Sequence, residues 1–201
     1  MYVKPQSKFL ITQSLLSSWQ YGLSDERYYE DFLKALRNER TPPTKAMLDG
    51  IRFENVLNEV LNGATIEPAH EWYKPIMQLA EELDGAQQQV ALYKDVVIDG
   101  ICFVLYGKLD FLKAGIIYDT KFSKTYKVGK YFCSPQHPMY FALVPEAFEF
   151  QYKISDGEYV YTETYYPEDA YPIEGMIRNF MTFLERMNLI ETYVANWKSK
   201  Y

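Results

Sequence analysis

Apolar residues recur at three- to four-residue spacing over roughly the first 85 positions and then at alternate positions. Leu15, Leu16 and Trp19 share a helix face behind Ile11, with Ser14 as the candidate cap. Tyr29, Phe32, Leu33 and Leu36 mark a second helix, capped by Ser24 and halted at Thr41-Pro42-Pro43. Thr44 to about Leu61 predicts a third helix, closed by Asn62-Gly63, and Pro75 to Leu83 a fourth, closed by Gly85.

From Gln87 to Lys121 the spacing becomes that of strands, rich in Val, Ile, Phe and Tyr, with turns at Asp99-Gly100 and Ala114-Gly115. Ser134-Pro135 predicts a helix start. Phe148, Phe150, Tyr152 and Ile154, then Tyr159, Tyr161 and Glu163 beyond Asp156-Gly157, form a hairpin pattern. Met176, Ile177, Phe180, Met181, Leu184 and Met187 stripe a closing helix from about Ile173 to Trp197. The order predicts an α+β fold: an N-terminal helical region over about 1–85, a central sheet read as antiparallel, then a helix, a hairpin and a last helix. No repeat or linker divides the chain, so one domain over 1–201 is expected.

Composition narrows the function classes. Apolar types make up 48% of 201 residues, and 10 Gly and 10 Pro are too few for wholesale disorder. The net charge of −6 argues against a generally basic coating protein but leaves room for a local phosphate-binding patch. The chain has 2 cysteines, Cys102 and Cys133, which exclude a disulfide scaffold or a four-cysteine metal site and read as structural. No apolar run is long enough to span a membrane, and the opening Met-Tyr-Val-Lys-Pro lacks a signal-peptide core, so a cytoplasmic protein with no membrane partner is expected.

The candidate chemistry lies in the segment from Gly107 to Lys121. If Ala114-Gly115 is a two-residue turn, Lys113 pairs with Ile116 and Asp110 falls opposite Asp119. Opposed residues have Cα atoms roughly 4.5–5.5 Å apart, so the two carboxylates repel unless a cation or proton lies between them. Hard oxygen ligands of this kind suit Mg²⁺ or Mn²⁺. Lys121, two residues beyond Asp119, leaves the same strand face, and the Thr120 carbonyl can turn toward the same cation.

Glu54 is a separate signal. At 100° per residue, Met47 and Leu61 sit about 20° either side of it and Ile51 and Leu57 about 60° either side, so it points toward a packed face. A carboxylate there needs a partner: either it snorkels or forms a salt bridge at the edge of the face, or it is the third carboxylate of a metal site.

The ordered set Gly107-Lys108-Leu109-Asp110, Tyr118-Asp119-Thr120-Lys121 and Gln136-His137-Pro138-Met139-Tyr140 resembles the PD-(D/E)XK nuclease superfamily, in its RecB-like and phage-type exonuclease branches. Thr12-Gln13-Ser14 and Gly50-Ile51-Arg52-Phe53-Glu54 resemble its upstream helices. The resemblance implies a restriction-endonuclease-like core, a central mixed β-sheet flanked by helices. It also implies a metal-dependent deoxyribonuclease, an exonuclease leaving 5′-phosphates in DNA recombination, repair or replication. Glu54, Asp110, Asp119 and the Thr120 carbonyl would hold Mg²⁺ or Mn²⁺. Lys121 would polarise the attacking water, while Gln136 and Tyr140 would bond the substrate backbone or support the site. Two alternatives stay open, an endonuclease or junction resolvase on the same core and a non-catalytic DNA-binding or assembly protein. Here the first acid follows Leu109, where the superfamily's name has proline.

Six lysines against two aspartates lie between Gly107 and Lys130, a local charge of +4 in an otherwise acidic chain. Lys124, Lys127 and Lys130 are candidate DNA-backbone contacts. Tyr126 and Tyr131 are candidate base-stacking residues, and His137 a candidate substrate contact. A recombination or single-strand-binding protein is a candidate partner, and a homo-oligomer is left open.

Overall fold

The computed structural model describes residues 8–200. The N-terminal stretch read as lacking a signal-peptide core falls mostly on residues 1–7, outside the described residues. The fold is α+β, built on a six-stranded mixed sheet with helices on both faces.

The strands are β1 (Phe9–Thr12), β2 (Gln87–Ile98), β3 (Ile101–Lys113), β4 (Ile116–Phe122), β5 (Glu149–Ser155) and β6 (Val160–Tyr165). They run in the order β1-β3-β4-β5-β6, with β2 also paired to β3. The antiparallel reading of the sheet needs correction. Strand β1 is parallel to β3, and β4 is parallel to β5. The second parallel pair arises because the chain leaves β4, crosses through α5 (Gln136–Leu143) and returns as β5, a connection that two-residue turns cannot make. Strand β1 escaped notice because four residues are too few to show a period.

Both predicted two-residue turns form. Asp99-Gly100 and Ala114-Gly115 each carry positive φ at both central positions, as a type I′ turn demands. Ile98 pairs with Ile101 and Lys113 with Ile116.

Helices α1 (Gln13–Ser24), α2 (Tyr29–Leu36), α5, α6 (Ile173–Arg186) and α7 (Ile190–Asn196) cover one sheet face, around Leu16, Phe103, Phe150 and Phe180. Helices α3 (Lys45–Leu61) and α4 (Tyr73–Leu83) cover the other, around Phe53, Trp72, Phe111 and Tyr118. The predicted closing helix is two helices, because Asn188 takes φ 56° and breaks the stripe after Met187. Ser24 ends α1, and Asp25 caps the next turn by accepting the Arg27 amide at 3.0 Å. No helix among the described residues is long and apolar enough to cross a membrane.

Strand β3 positions the site. Its long partner β2 takes one edge, from Ile101 to Leu112. On the other edge β1 pairs with Phe103 to Tyr106 and β4 with Phe111 to Lys113. Gly107 to Asp110 therefore have no strand beside them on that edge, and the sheet is split there. The strand also changes faces at this place. Leu109 joins the core under α1 and α5, while Phe111, two residues on, joins the core under α3 and α4. Regular alternation would put both on one face. The irregularity falls on Asp110 and on Gln89 opposite, which takes φ 54° and is skipped by the β2–β3 ladder.

Candidate active site

The notch in the sheet gathers the predicted residues. The β3–β4 ladder stops at Phe111–Tyr118, one pair short of Asp110 and Asp119. With the strands parting, the Thr120 amide is free and donates to Asp110 Oδ2 at 3.1 Å. Asp119 is 2% exposed. Its Oδ1 accepts a hydrogen bond from Gln136 Nε2. Its Oδ2 lies 2.6 Å from Lys121 Nζ, an ion pair whose angle is not that of a hydrogen bond, and no well-aligned donor reaches that oxygen.

The charges act on one another at close range. Burial pushes the Asp110 carboxyl well above the usual carboxylate range, the Asp119 and Glu54 charges add to the rise, and Lys121 and the Thr120 amide oppose it. Burial lowers the affinity of Lys121 for its proton, but the aspartates outweigh it, so the ammonium is held more firmly than usual.

Glu54 is half-buried, close enough to act on Asp110, and Gln89 Nε2 donates to its Oε1 at 3.2 Å. The predicted packed face around it is only partly present. Met47 and Ile51 are 56% and 50% exposed, because α4 packs against the later turns of α3 at Phe53 and Leu57. Glu54 thus lies at the edge of the core. Among the described residues no three His, Cys, Asp or Glu side chains gather into a finished metal site. Asp110 and Asp119 nonetheless fit a divalent cation. One is a carboxyl driven toward protonation, the other a buried carboxylate with an oxygen lacking an aligned donor. Thr120 is buried, its hydroxyl without a partner.

Gln136 and Tyr140 come from one face of α5, as their spacing predicts. Gln136 orients Asp119 directly, where the sequence suggested substrate or Lys121. The Tyr140 hydroxyl donates to the Lys108 carbonyl at 2.9 Å, so it braces the unpaired edge of β3. Gly107 permits this, since a Cβ there would lie 2.5 Å from the Tyr140 ring.

The loop between β4 and α5 carries the other candidates. Lys124, Lys127 and Lys130 are exposed. Lys124 is 4.0 Å from Asp49, and Lys130 donates to the Ser123 hydroxyl at 2.9 Å. Tyr126 is committed inward, its hydroxyl donating to Glu163 Oε1 at 2.7 Å. Tyr131 stacks one ring face on Tyr152, with centroids 4.5 Å apart. His137 is 3% exposed and stacked on Tyr165, so its ring is turned away from solvent. Burial lowers its pKa to about 4.

Several residues of the site were not singled out from the sequence. Glu163 of β6 is buried and accepts from Tyr126, Gly129, Tyr131 and Tyr165, tying the lysine loop to the sheet. Its place on the alternating Tyr159-Tyr161-Glu163 face was the available signal. Gln89 had none beyond being polar in an apolar strand. Cys133, read as structural, is exposed.

No protein-family model matches the chain, and no curated protein matches it. Among solved structures it is similar to one described as "Crystal structure of SSO0001". Identity is 14%, the TM-score is 0.50, and the likeness covers 90% of this chain and 78% of that one. At such identity the likeness bears on fold alone.

Proposed function

We propose that this chain is a divalent-metal-dependent deoxyribonuclease of the PD-(D/E)XK superfamily with a restriction-endonuclease-like core, an exonuclease that leaves 5′-phosphates. The observation that carries the reading is the meeting of Asp110, Asp119 and Lys121 in the split of the sheet, with a buried carboxylate oxygen facing no aligned donor.

Asp110 and Asp119 would hold Mg²⁺ or Mn²⁺, and Glu54, released from Gln89, is the nearest third acid. Bound there, such a cation supplies a water of lowered pKa and neutralises charge on the scissile phosphate. Lys121 presents an ammonium beside Asp119, suited to orient the nucleophile and to offset charge growing on a phosphoryl oxygen. Gln136 fixes the Asp119 carboxylate, and Tyr140 keeps β3 in place beneath it. The exposed lysines of the β4–α5 loop offer phosphate contacts next to this centre.

The test is hydrolysis of end-labelled linear DNA by the purified chain with Mg²⁺ or Mn²⁺. Asp119→Asn should abolish cleavage, and Lys121→Ala should lower it by about 10²-fold or more, with both variants melting as cooperatively as the parent. Closed circular DNA should survive; its cleavage would favour the endonuclease alternative. A Lys121→Ala variant with unchanged rate would remove that residue from the mechanism.

A further inference from the structure

The split in the sheet opens into a trough that the metal-ligand residues do not use. Helix α1 begins at the notch, where the Thr12 hydroxyl accepts the Leu15 amide at 3.1 Å. Its polar stripe, Gln13, Ser17 and Gln20, repeats at helical spacing and forms one wall. The opposite wall is the segment from Lys130 to Gln136, and Lys121 closes the inner end. This hollow encloses about 360 Å³. A second hollow of about 450 Å³ adjoins it, sharing Gln20, Cys133 and Ser134, and is lined also by Phe132 and Tyr171. Each falls in the size range of small-ligand pockets.

The lining chemistry is uneven. Cations stand only at the catalytic end, as Lys121 and Lys130. The outer hollow has one acid, Asp169, and neither lysine nor arginine among the residues that line it; its one histidine, His137, is buried against Tyr165. In place of charge it presents large side chains to water: Phe132 is 70% exposed and Tyr171 54%. Exposed aromatic rings at two places along one trough offer flat apolar faces on which a planar group can stack. A duplex carries phosphates along both flanks and has its base faces hidden, so it needs cations on both walls. An unpaired strand exposes base faces for aromatic contact and has a single line of phosphates.

We infer that the trough between α1 and the β4–α5 segment binds an unpaired DNA strand, bases turned onto Phe132 and Tyr171 and backbone led past Lys130 to Lys121. The neutral amides of Gln13 and Gln20 reach base edges or sugar oxygens without requiring one sequence. This rests on the nuclease reading of the same site, and makes single-stranded DNA, or the frayed end of a duplex, its substrate.

Cys133 is an exposed free thiol that lines both hollows and serves as a built-in probe. The experiment measures its alkylation by iodoacetamide, peptide by peptide, with EDTA present so that nothing is cleaved. A short oligothymidylate at ten times its Kd should slow Cys133 alkylation by about tenfold, as mass action requires. A blunt two-stranded duplex with G·C-rich ends at the same concentration should leave the rate unchanged. Ser17→Trp, which fills the inner hollow from a half-exposed helix position, should abolish protection without lowering the melting temperature. Equal protection by duplex, or none by the single strand, overturns the inference. DNA cut in Mg²⁺ while strand leaves Cys133 fully reactive sinks the trough and spares the nuclease. Protection by strand in a chain that cuts nothing in Mg²⁺ or Mn²⁺ sinks the nuclease and spares the trough.

Discussion

Gly107→Ala is the substitution that most directly tests how the fold builds the site. An added Cβ would meet Tyr140 Cε1 at 2.5 Å and Leu143 Cδ1 at 2.7 Å. Carbon atoms in good contact stand about 3.5–4.0 Å apart, so helix α5 or its side chains must retreat by about 1 Å. Tyr140 is not free to do so, because its hydroxyl is tied to the Lys108 carbonyl at 2.9 Å on the same strand. Overpacking of this kind costs about 1–3 kcal/mol. In a chain of 201 residues that lowers the melting temperature by roughly 3–10 °C. Urea denaturation should show the loss as a lower midpoint with unchanged slope. In a Tyr140→Ala background the ring is gone and the flexible end of Leu143 can turn aside, so the same change should cost about 1 kcal/mol less. A Gly107→Ala variant as stable as the parent, or the same cost with and without the Tyr140 ring, would refute the claim that bare backbone lets α5 dock here.

Two further outcomes are expected. Glu163→Gln should loosen the lysine loop, because one acceptor oxygen becomes a donor facing hydroxyls and amides, so limited trypsin digestion should cut after Lys124, Lys127 or Lys130 before the remainder of the chain; parental resistance would show that other contacts hold the loop. The His137 pKa is about 4 in the folded chain against about 6.5 when unfolded, so its neutral ring contributes fully above pH 6.5 and loses roughly 3 kcal/mol as pH falls toward 4; urea melts of the parent should show this acid-side loss and those of His137→Gln should not.

What the sequence disclosed follows the range of the forces involved. Helix periodicity and turn chemistry act over a few residues, which is why α3, the two type I′ turns and the β5–β6 hairpin were predictable from local spacing. The parallel pairings join segments far apart in sequence, and the short β1 carries no period of its own, so the mixed character of the sheet was not legible from spacing. The site divides the same way. Asp110, Asp119 and Lys121 followed from counting outward from one turn. Glu163 and Gln89 meet the site through long-range packing, as does α1 with its Gln13-Ser17-Gln20 stripe, and no window of the sequence contains both partners.

Counting from the turn placed Asp110 beside Asp119 for an incomplete reason. It treated Asp110 and Asp119 as the next rung of a regular ladder, two acids held apart only by a cation. The ladder ends just before them. Had it continued, Asp110 and Asp119 would be a non-hydrogen-bonded pair, the Thr120 amide would bond the Leu109 carbonyl, and both side chains would stand upright from the sheet. Because the strands part and β3 changes faces at Asp110, the Thr120 amide turns its hydrogen bond on the Asp110 carboxylate. Beside the opening, α1 begins and α5 delivers Gln136 to Asp119. A perfect sheet would have no hollow beside its acids. The break in pairing therefore creates the opening, and the neighbouring helices line it.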